Sequence, residues 1–294
     1  MIPGVVSMLR NSDGDWVVYD NMVEYPTPDT VTQGLQEAIN LAYTNDVDLT
    51  VIGGGTSAVI QCNAGITWPP IRHRTIRIQS CTLNIVPESD VNSLTNGMTF
   101  DSCIMADWFM SGQIVYWGKG RAVLFAPTTP AMPENEISCA VSTFKFGAIA
   151  CMTKDGFGVF FDGPMDRNNF HFMEINGKND SSGDRSYHGI EISKAFVGNR
   201  LEFRNIHGFK GIGLRVGVAP TSAIYGNTFV GTIAPGPSGS SSVGVQIFGN
   251  SNFFNLAIIN NEMGGRLVPW GMETICWTTG LTTIDDHAGV RFRY

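Results

Sequence analysis

Gly158-Val159-Phe160-Phe161 leads to Asn168, Phe170, Phe172 and Ile175, and the same order of residues returns three times. Gly189-Ile190-Glu191-Ile192 leads to Asn199, Leu201, Phe203 and Ile206. Gly213-Leu214-Arg215-Val216 leads to Asn227, Phe229, Gly231 and Ile233. Gly244-Val245-Gln246-Ile247 leads to Asn252, Phe254, Leu256 and Ile259. An earlier copy without the asparagine is Phe144, Phe146 and Ile149. The anchors 144, 170, 201, 229 and 254 stand 26, 31, 28 and 25 residues apart. A period in this range marks a fold built by stacking one supersecondary unit. Each unit holds two or three short alternating segments joined by Gly or Asn turns. A single unit cannot bury its own apolar side chains, whereas a stack can. Cys62, Cys81 and Cys103, spaced by 19 and 22, point to further units upstream.

Strand alternation then separates core from surface. If Ile190 and Ile192 point inward, Glu191 and Ser193 point outward. The matching outward positions are Phe160 and Asp162, Arg215 and Gly217, and Gln246 and Phe248. Asp162, Glu191 and Arg215 therefore fall on one outer face. On the second segment the outward row is Lys145, His171, Glu202, Val230 and Asn255. Asn168, Asn199, Asn227 and Asn252 are expected to form a ladder of turns, since asparagine amides bond neighbouring backbone and tolerate left-handed conformations.

Upstream, residues 1–28 read as irregular. One helix follows, capped by Asp29 or Thr30, with Val31, Leu35, Ala38, Ile39 and Ala42 at helical spacing and an end near Asn45. Residues 47–52 read as a strand. The next stretch, Gly53-Gly54-Gly55-Thr56-Ser57-Ala58, satisfies G-x-G-x-x-A and raises a nucleotide-binding alternative. A helix should follow such a loop, but Asn63, Gly65, Pro69 and Pro70 interrupt the sequence there. A turn between two strands is the competing reading. About 250 residues remain after the helix, enough for about ten turns and a rod on the order of 45–50 Å long.

Composition agrees with a turn-rich β protein. The 294 residues include 34 glycines and 21 asparagines, and 15% are charged against about 25% in average domains. That is the wrong material for a helical bundle. The net charge of −7 and the lack of a basic stripe argue against a nucleic-acid partner. No apolar run is long enough for a membrane-spanning helix, so no membrane insertion is expected. Met1-Ile2-Pro3-Gly4 lacks signal-peptide character. The six cysteines form no C-x-x-C pair, so no metal is expected and free buried thiols are.

The repeat resembles the right-handed parallel β-helix of the pectate-lyase-like superfamily, which includes polygalacturonases, pectin lyases and phage tailspike depolymerases. Asp29-Thr30 with Leu35-Gln36-Glu37-Ala38-Ile39-Asn40-Leu41-Ala42 is similar to the helix that caps many such rods. Tyr187-His188-Gly189-Ile190-Glu191-Ile192 is similar to the G-H-G-I-x-I stretch of polygalacturonases, and Gly211–Val216 to their later R-x-K segment, with Gly217 in place of the lysine. The resemblance implies an all-β chain: a single-stranded right-handed parallel β-helix, or solenoid, with an N-terminal capping helix. Residues 1–46 would form the N-terminal segment and helix, 47–265 the β-helix, and 266–294 a C-terminal strand or cap.

The resemblance also implies a polysaccharide or oligosaccharide partner, no cofactor, and cleavage in a groove on the outer face. A hydrolase would use two carboxylates; a lyase would abstract a proton with Lys, Arg, His or Tyr. The candidate catalytic residues are Asp162, Glu191, Arg215, His171, Glu202 and His188. Trp108, Tyr116, Trp117 and Lys145 are candidates for substrate binding, the rings offering flat faces to sugars. Each has a plainer reading: Glu191–Arg215 and His171–Glu202 as ion pairs, His188 as a turn residue, the aromatics as core. A non-catalytic binding or structural rod, such as a virion fibre or tailspike, is the alternative. An enzyme needs two carboxylates about 5–9.5 Å apart in a surface groove, whereas a rod has them scattered or paired with cations. The virion comparison implies an extracellular or virion-associated protein, often a homotrimer. Residues 178–185 read as a projecting loop with a formal glycosylation triplet at Asn179, and residues 235–242 as a flexible excursion.

Overall fold

The computed structural model describes residues 4–25, 29–54, 58–87, 94–127, 139–153, 155–177, 186, 188–209, 211–217, 223–234, 243–247, 252–259, 274–279 and 290–292. The segments 178–185 and 235–242, with Tyr187 and Phe248, lie outside the described residues, as do the side chains of Gln246, Phe254, Asn255, Ile259 and Cys276.

The described chain is dominated by strands, with parallel pairing throughout the repeat. It visits three sheets in a constant cyclic order. A cycle begins in the second sheet, whose strands are Ile66–Trp68, Met98–Phe100, Arg121–Phe125, Phe157–Phe161, Ile190–Ile192, Ile212–Val216 and Val243–Ile247. It continues through a two-residue strand of the third sheet: Ile71–Arg72, Cys103–Ile104, Cys139–Ala140, Met165–Asp166, Phe196–Val197 or Ile224–Tyr225. It then enters the first sheet, where Thr75–Gln79, Asp107–Met110, Thr143–Cys151, Asn169–Asn176, Arg200–His207, Thr228–Ala234 and Phe253–Ile259 lie in order. Thr274–Thr279 and Val290–Phe292 continue that sheet.

Register converts the sequence repeat into ladders. Trp68, Phe100, Phe125, Phe161, Ile192 and Val216 are successive partners in the second sheet. All six are buried. The rings of Phe100 and Phe125 stack at 4.8 Å, and those of Phe125 and Phe161 at 5.0 Å. Those separations match the strand spacing, so identical residues in consecutive turns stack ring on ring. In the first sheet Phe144 stacks on Phe170 at 5.1 Å and Phe146 on Phe172 at 5.0 Å.

The asparagine ladder lies inside the corner between the third and first sheets. Asn168, Asn199, Asn227 and Asn252 are all buried. The Oδ1 of Asn199 accepts the backbone N–H of Asn168 at 2.8 Å, and the Oδ1 of Asn227 accepts that of Asn199 at 2.7 Å. Asn252 serves Asn227 in the same way at 3.1 Å. Asn168 passes the pattern back to Ser142, whose hydroxyl accepts the N–H of Ala106. Each side chain thus satisfies a turn N–H that has no strand partner, as burial requires.

The glycines that open the second-sheet strands are fixed by close approach. A Cβ on Gly158 would stand 2.3 Å from the Gly189 carbonyl oxygen, and one on Gly189 would stand 2.5 Å from that of Gly213.

Two expectations are corrected. Residues 5–24 are ordered rather than irregular: Val5–Arg10, Trp16–Asp20 and Val23–Glu24 form an antiparallel run joined to Asp48–Ile52 by parallel pairing. Their alternation is visible in burial, with Val6, Met8, Trp16 and Val18 inward. The helix spans Leu35–Asn45, and Asp29 does not cap it. Asp29 Oδ1 instead closes a preceding turn by accepting the N–H groups of Val31 and Thr32, while Thr32 Oγ1 accepts that of Gln36 in the first helical turn. Val31 is exposed, and the buried face is Leu35, Ala38, Ile39 and Ala42. Strands Asp48–Ile52 and Val59–Cys62 flank Gly53-Gly54, in line with the reading of a turn between two strands, and the nucleotide-binding alternative lacks the helix that should follow its loop. The upstream units to which the cysteine spacing pointed are present: Cys62 closes the strand Val59–Cys62, Cys81 precedes Thr82–Ile85, and Cys103 opens Cys103–Ile104 of the third sheet. Five cysteines, at 62, 81, 103, 139 and 151, are free and buried.

Candidate functional site

The outward row of the second sheet is Leu124, Phe160, Glu191 and Arg215, in direct register with one another and with the backbone of Gln246. This is the row anticipated from alternation. Glu191, however, is buried rather than open to solvent. An Arg215 nitrogen lies 3.3 Å from its Oε1, and His188 Nε2 lies 3.9 Å from its Oε2. Arg121, one strand beyond Phe160, holds its guanidinium 4.8 Å over the Phe160 ring and 5.1 Å over Phe157. This cover of side chains could not be read from alternation, because it comes from neighbouring strands and from a turn.

Burial pushes the Glu191 carboxyl above its ordinary range, although Arg215 and Arg121 pull it down; the nearby Asp162 adds to the rise. His188 is a structural acceptor. Its Nδ1 takes the backbone N–H of Ile212 at 2.8 Å, which leaves the proton of the neutral ring on Nε2, facing Glu191. Burial, helped by Arg215, lowers its pKa to about 4. The Nε groups of both Arg121 and Arg215 are buried without a hydrogen-bond partner.

Asp162 lies on the same face, one strand over and level with Ser193. It accepts a hydrogen bond from Ser193 Oγ at 2.9 Å, and Lys194 Nζ lies 3.4 Å away. Strands about 4.8 Å apart and two residues of about 3.3 Å each put the Asp162 and Glu191 backbones about 8 Å apart.

The second polar row is also in register: Lys145, His171, Glu202 and Val230. His171 Nδ1 lies 3.3 Å from Glu202 Oε2, and Arg200 bonds Glu202 from the same strand. Burial raises the Glu202 carboxyl, but hydrogen bonds from Arg200 and His171 outweigh it and hold the group below its ordinary value. These side chains and Lys145 line a surface depression of about 420 Å³. It lies on the outer face of the first sheet, whereas Glu191 belongs to the second, so the structure does not bring the two rows into one site.

The aromatic candidates divide. Trp108 and Tyr116 are buried in the core: Trp108 packs edge-on against Trp68, and the Tyr116 hydroxyl donates to the Thr95 carbonyl. Neither ring can meet a sugar. Trp117 is half-buried, and its indole N–H donates to Asn84 Oδ1 at 2.9 Å. Lys145 is exposed. A pair missed by sequence reading is His207–Glu174, at 2.6 Å. Strict alternation places Glu174 on the inner face with Phe170 and Phe172, but Met173 and Glu174 both face outward where the strand turns a corner.

Among the described residues no cluster of three or more His, Cys, Asp or Glu could hold a metal, and no helix is long and apolar enough to cross a membrane. Comparison with family models, with curated proteins and with solved structures finds no match to the chain.

Proposed function

We propose that the chain is a right-handed parallel β-helix that cleaves a polysaccharide along the outer face of the second sheet, with Glu191 as proton donor and Asp162 as base. The observation that carries this reading is the Glu191 carboxyl: outward on its strand, shielded from water and raised in pKa despite two arginines. A general acid must hold its proton near working pH, and burial is how a glutamate does so. The Asp162 and Glu191 backbones stand about 8 Å apart, and the Asp162 charge is near enough to raise the Glu191 carboxyl, which supports the two acting on one bond as the base and acid of a hydrolase. Glu191 would protonate the leaving oxygen while Asp162 takes a proton from the attacking water. Arg215 would position Glu191, and neutral His188 would hold the turn beside it.

A second reading also has an observation behind it. Glu191, Asp162, Glu202 and Glu174 each have a cationic or histidine partner within 4 Å, as in a non-catalytic binding or structural rod. Virion association, an extracellular location and trimer formation belong to that reading equally.

The test is incubation with a panel of neutral and acidic polysaccharides, read by reducing ends and by ultraviolet absorbance. New reducing ends without absorbance support hydrolysis by Asp162 and Glu191. Absorbance marks a lyase and moves the base to Arg215, His188 or a lysine. No product, together with retention of the protein on one polysaccharide, supports the non-catalytic rod.

A further inference from the structure

The third sheet brings two thiols together that the proposed site does not use. Cys103 opens the strand Cys103–Ile104 and Cys139 opens Cys139–Ala140. These strands are neighbours, with Ile104 opposite Ala140. Cys103 and Cys139 therefore stand level in adjacent strands, in the inward column Ile71, Cys103, Cys139, Met165, Phe196 and Ile224. Both are fully buried. Their sulfurs converge on one atom: the Asp101 carbonyl oxygen lies 3.1 Å from Cys139 Sγ and 3.9 Å from Cys103 Sγ. The other described thiols are not matched in this way. Cys62 faces Ile85 and Cys151 faces Tyr116 across their ladders.

Level neighbours in a parallel sheet have Cα atoms about 4.8 Å apart, inside the range of roughly 4.4–6.8 Å that a disulfide bridges. The backbone is held on both sides. Cys139 N–H donates to the Pro164 carbonyl, and the Asn168 side chain donates to the Cys139 carbonyl at 2.7 Å. A cross-link can thus form by rotation of the side chains alone.

We propose that Cys103 and Cys139 are a disulfide site, closed by exchange with a small-molecule disulfide such as oxidised glutathione. One protein thiolate attacks the glutathione disulfide and releases a glutathione thiolate. The second protein thiolate then attacks the protein sulfur of the mixed disulfide and releases the other. The two protein thiols lose two electrons and two protons, and one glutathione disulfide becomes two thiols. Contact with Cys139 and burial both hold the Cys103 thiol well above its ordinary pKa, so the folded, reduced chain exchanges slowly. The bond forms while the chain folds in an oxidising medium, and it staples two consecutive cycles across the narrowest sheet.

The experiment is refolding of the full chain in a buffer of oxidised and reduced glutathione, then alkylation in denaturant, digestion and mass spectrometry. The expected result is four alkylated cysteines of the six, one peptide pair joining Cys103 to Cys139, and a melting temperature a few degrees higher that dithiothreitol returns to its reduced value. Cys103→Ser should leave the remaining cysteines alkylated under the same conditions. Six alkylated cysteines, or a pair joining any other two, overturns the proposal. The wild-type spectrum decides the matter even if the variant does not fold.

Discussion

Asn199 is the residue on which the corner of the stack turns most visibly. Its Oδ1 satisfies the Asn168 N–H, and its Nδ2 donates to the Met165 carbonyl at 3.0 Å. Asn199→Ala leaves these groups buried and unpaired, which should cost about 3 kcal/mol in urea denaturation. Asn199→Ser should cost less, because Ser142 already fills a rung of the same ladder through its hydroxyl. Equal losses for the two variants would count against a hydrogen-bonding role. His188 supplies a pH test. Its folded pKa is about 4, against 6.5 for the free ring. Between those values the unfolded chain binds a proton that the folded chain does not, so stability rises with pH across the window. Stability should fall on acidification from pH 6.5 toward 4, by up to roughly 3 kcal/mol. His188→Asn keeps an acceptor near the Ile212 N–H and cannot titrate. Its stability curve should be flatter over that window, and an unchanged slope would assign the acid sensitivity to other groups.

At the scale of the element, the strands of the second sheet begin where only glycine fits. Gly189→Ala would press a Cβ to 2.5 Å from both the Gly213 carbonyl oxygen and Ile206 Cγ2. A loss of about 2–3 kcal/mol is expected, read as a drop in melting temperature; an unchanged melting temperature would mean that the strands can separate freely there. These glycines, the asparagines and the stacked phenylalanines were legible in the sequence because each cycle repeats one residue type at one position. The earlier cycles were less legible. There Trp68, Trp108 and Met98 fill places that Phe or Ile hold later, so position is kept while identity is lost. The antiparallel run at the start escaped for another reason. It belongs to no cycle, and its alternation is short. Of the candidate site, the outward rows of Glu191 with Arg215 and His171 with Glu202 followed from parity alone. The burial of Glu191 did not, since parity says which way a side chain leaves its strand and nothing about what closes over it. Trp108 and Tyr116 fell inward for the same parity that put their strand neighbours out.

At the scale of the molecule, a low-charge, glycine- and asparagine-rich sequence becomes three parallel sheets around a core of aromatic and aliphatic ladders. The helix Leu35–Asn45 and the antiparallel run lie at the beginning of that stack, where exposed strand edges would otherwise invite pairing with another chain. The proposed function rests on a few ionised groups of the outer faces, and Glu191 is the one whose environment departs furthest from a simple surface pair. The most direct measurement is depolymerisation by the wild-type chain and by the double variant Asp162→Asn, Glu191→Gln, on whichever polysaccharide the panel identifies. Circular dichroism verifies that both are folded. The account predicts that product release falls at least about 100-fold, the scale of losing positioned acid–base groups, while the folded signal stays the same. Undiminished product release from a folded double variant would contradict it.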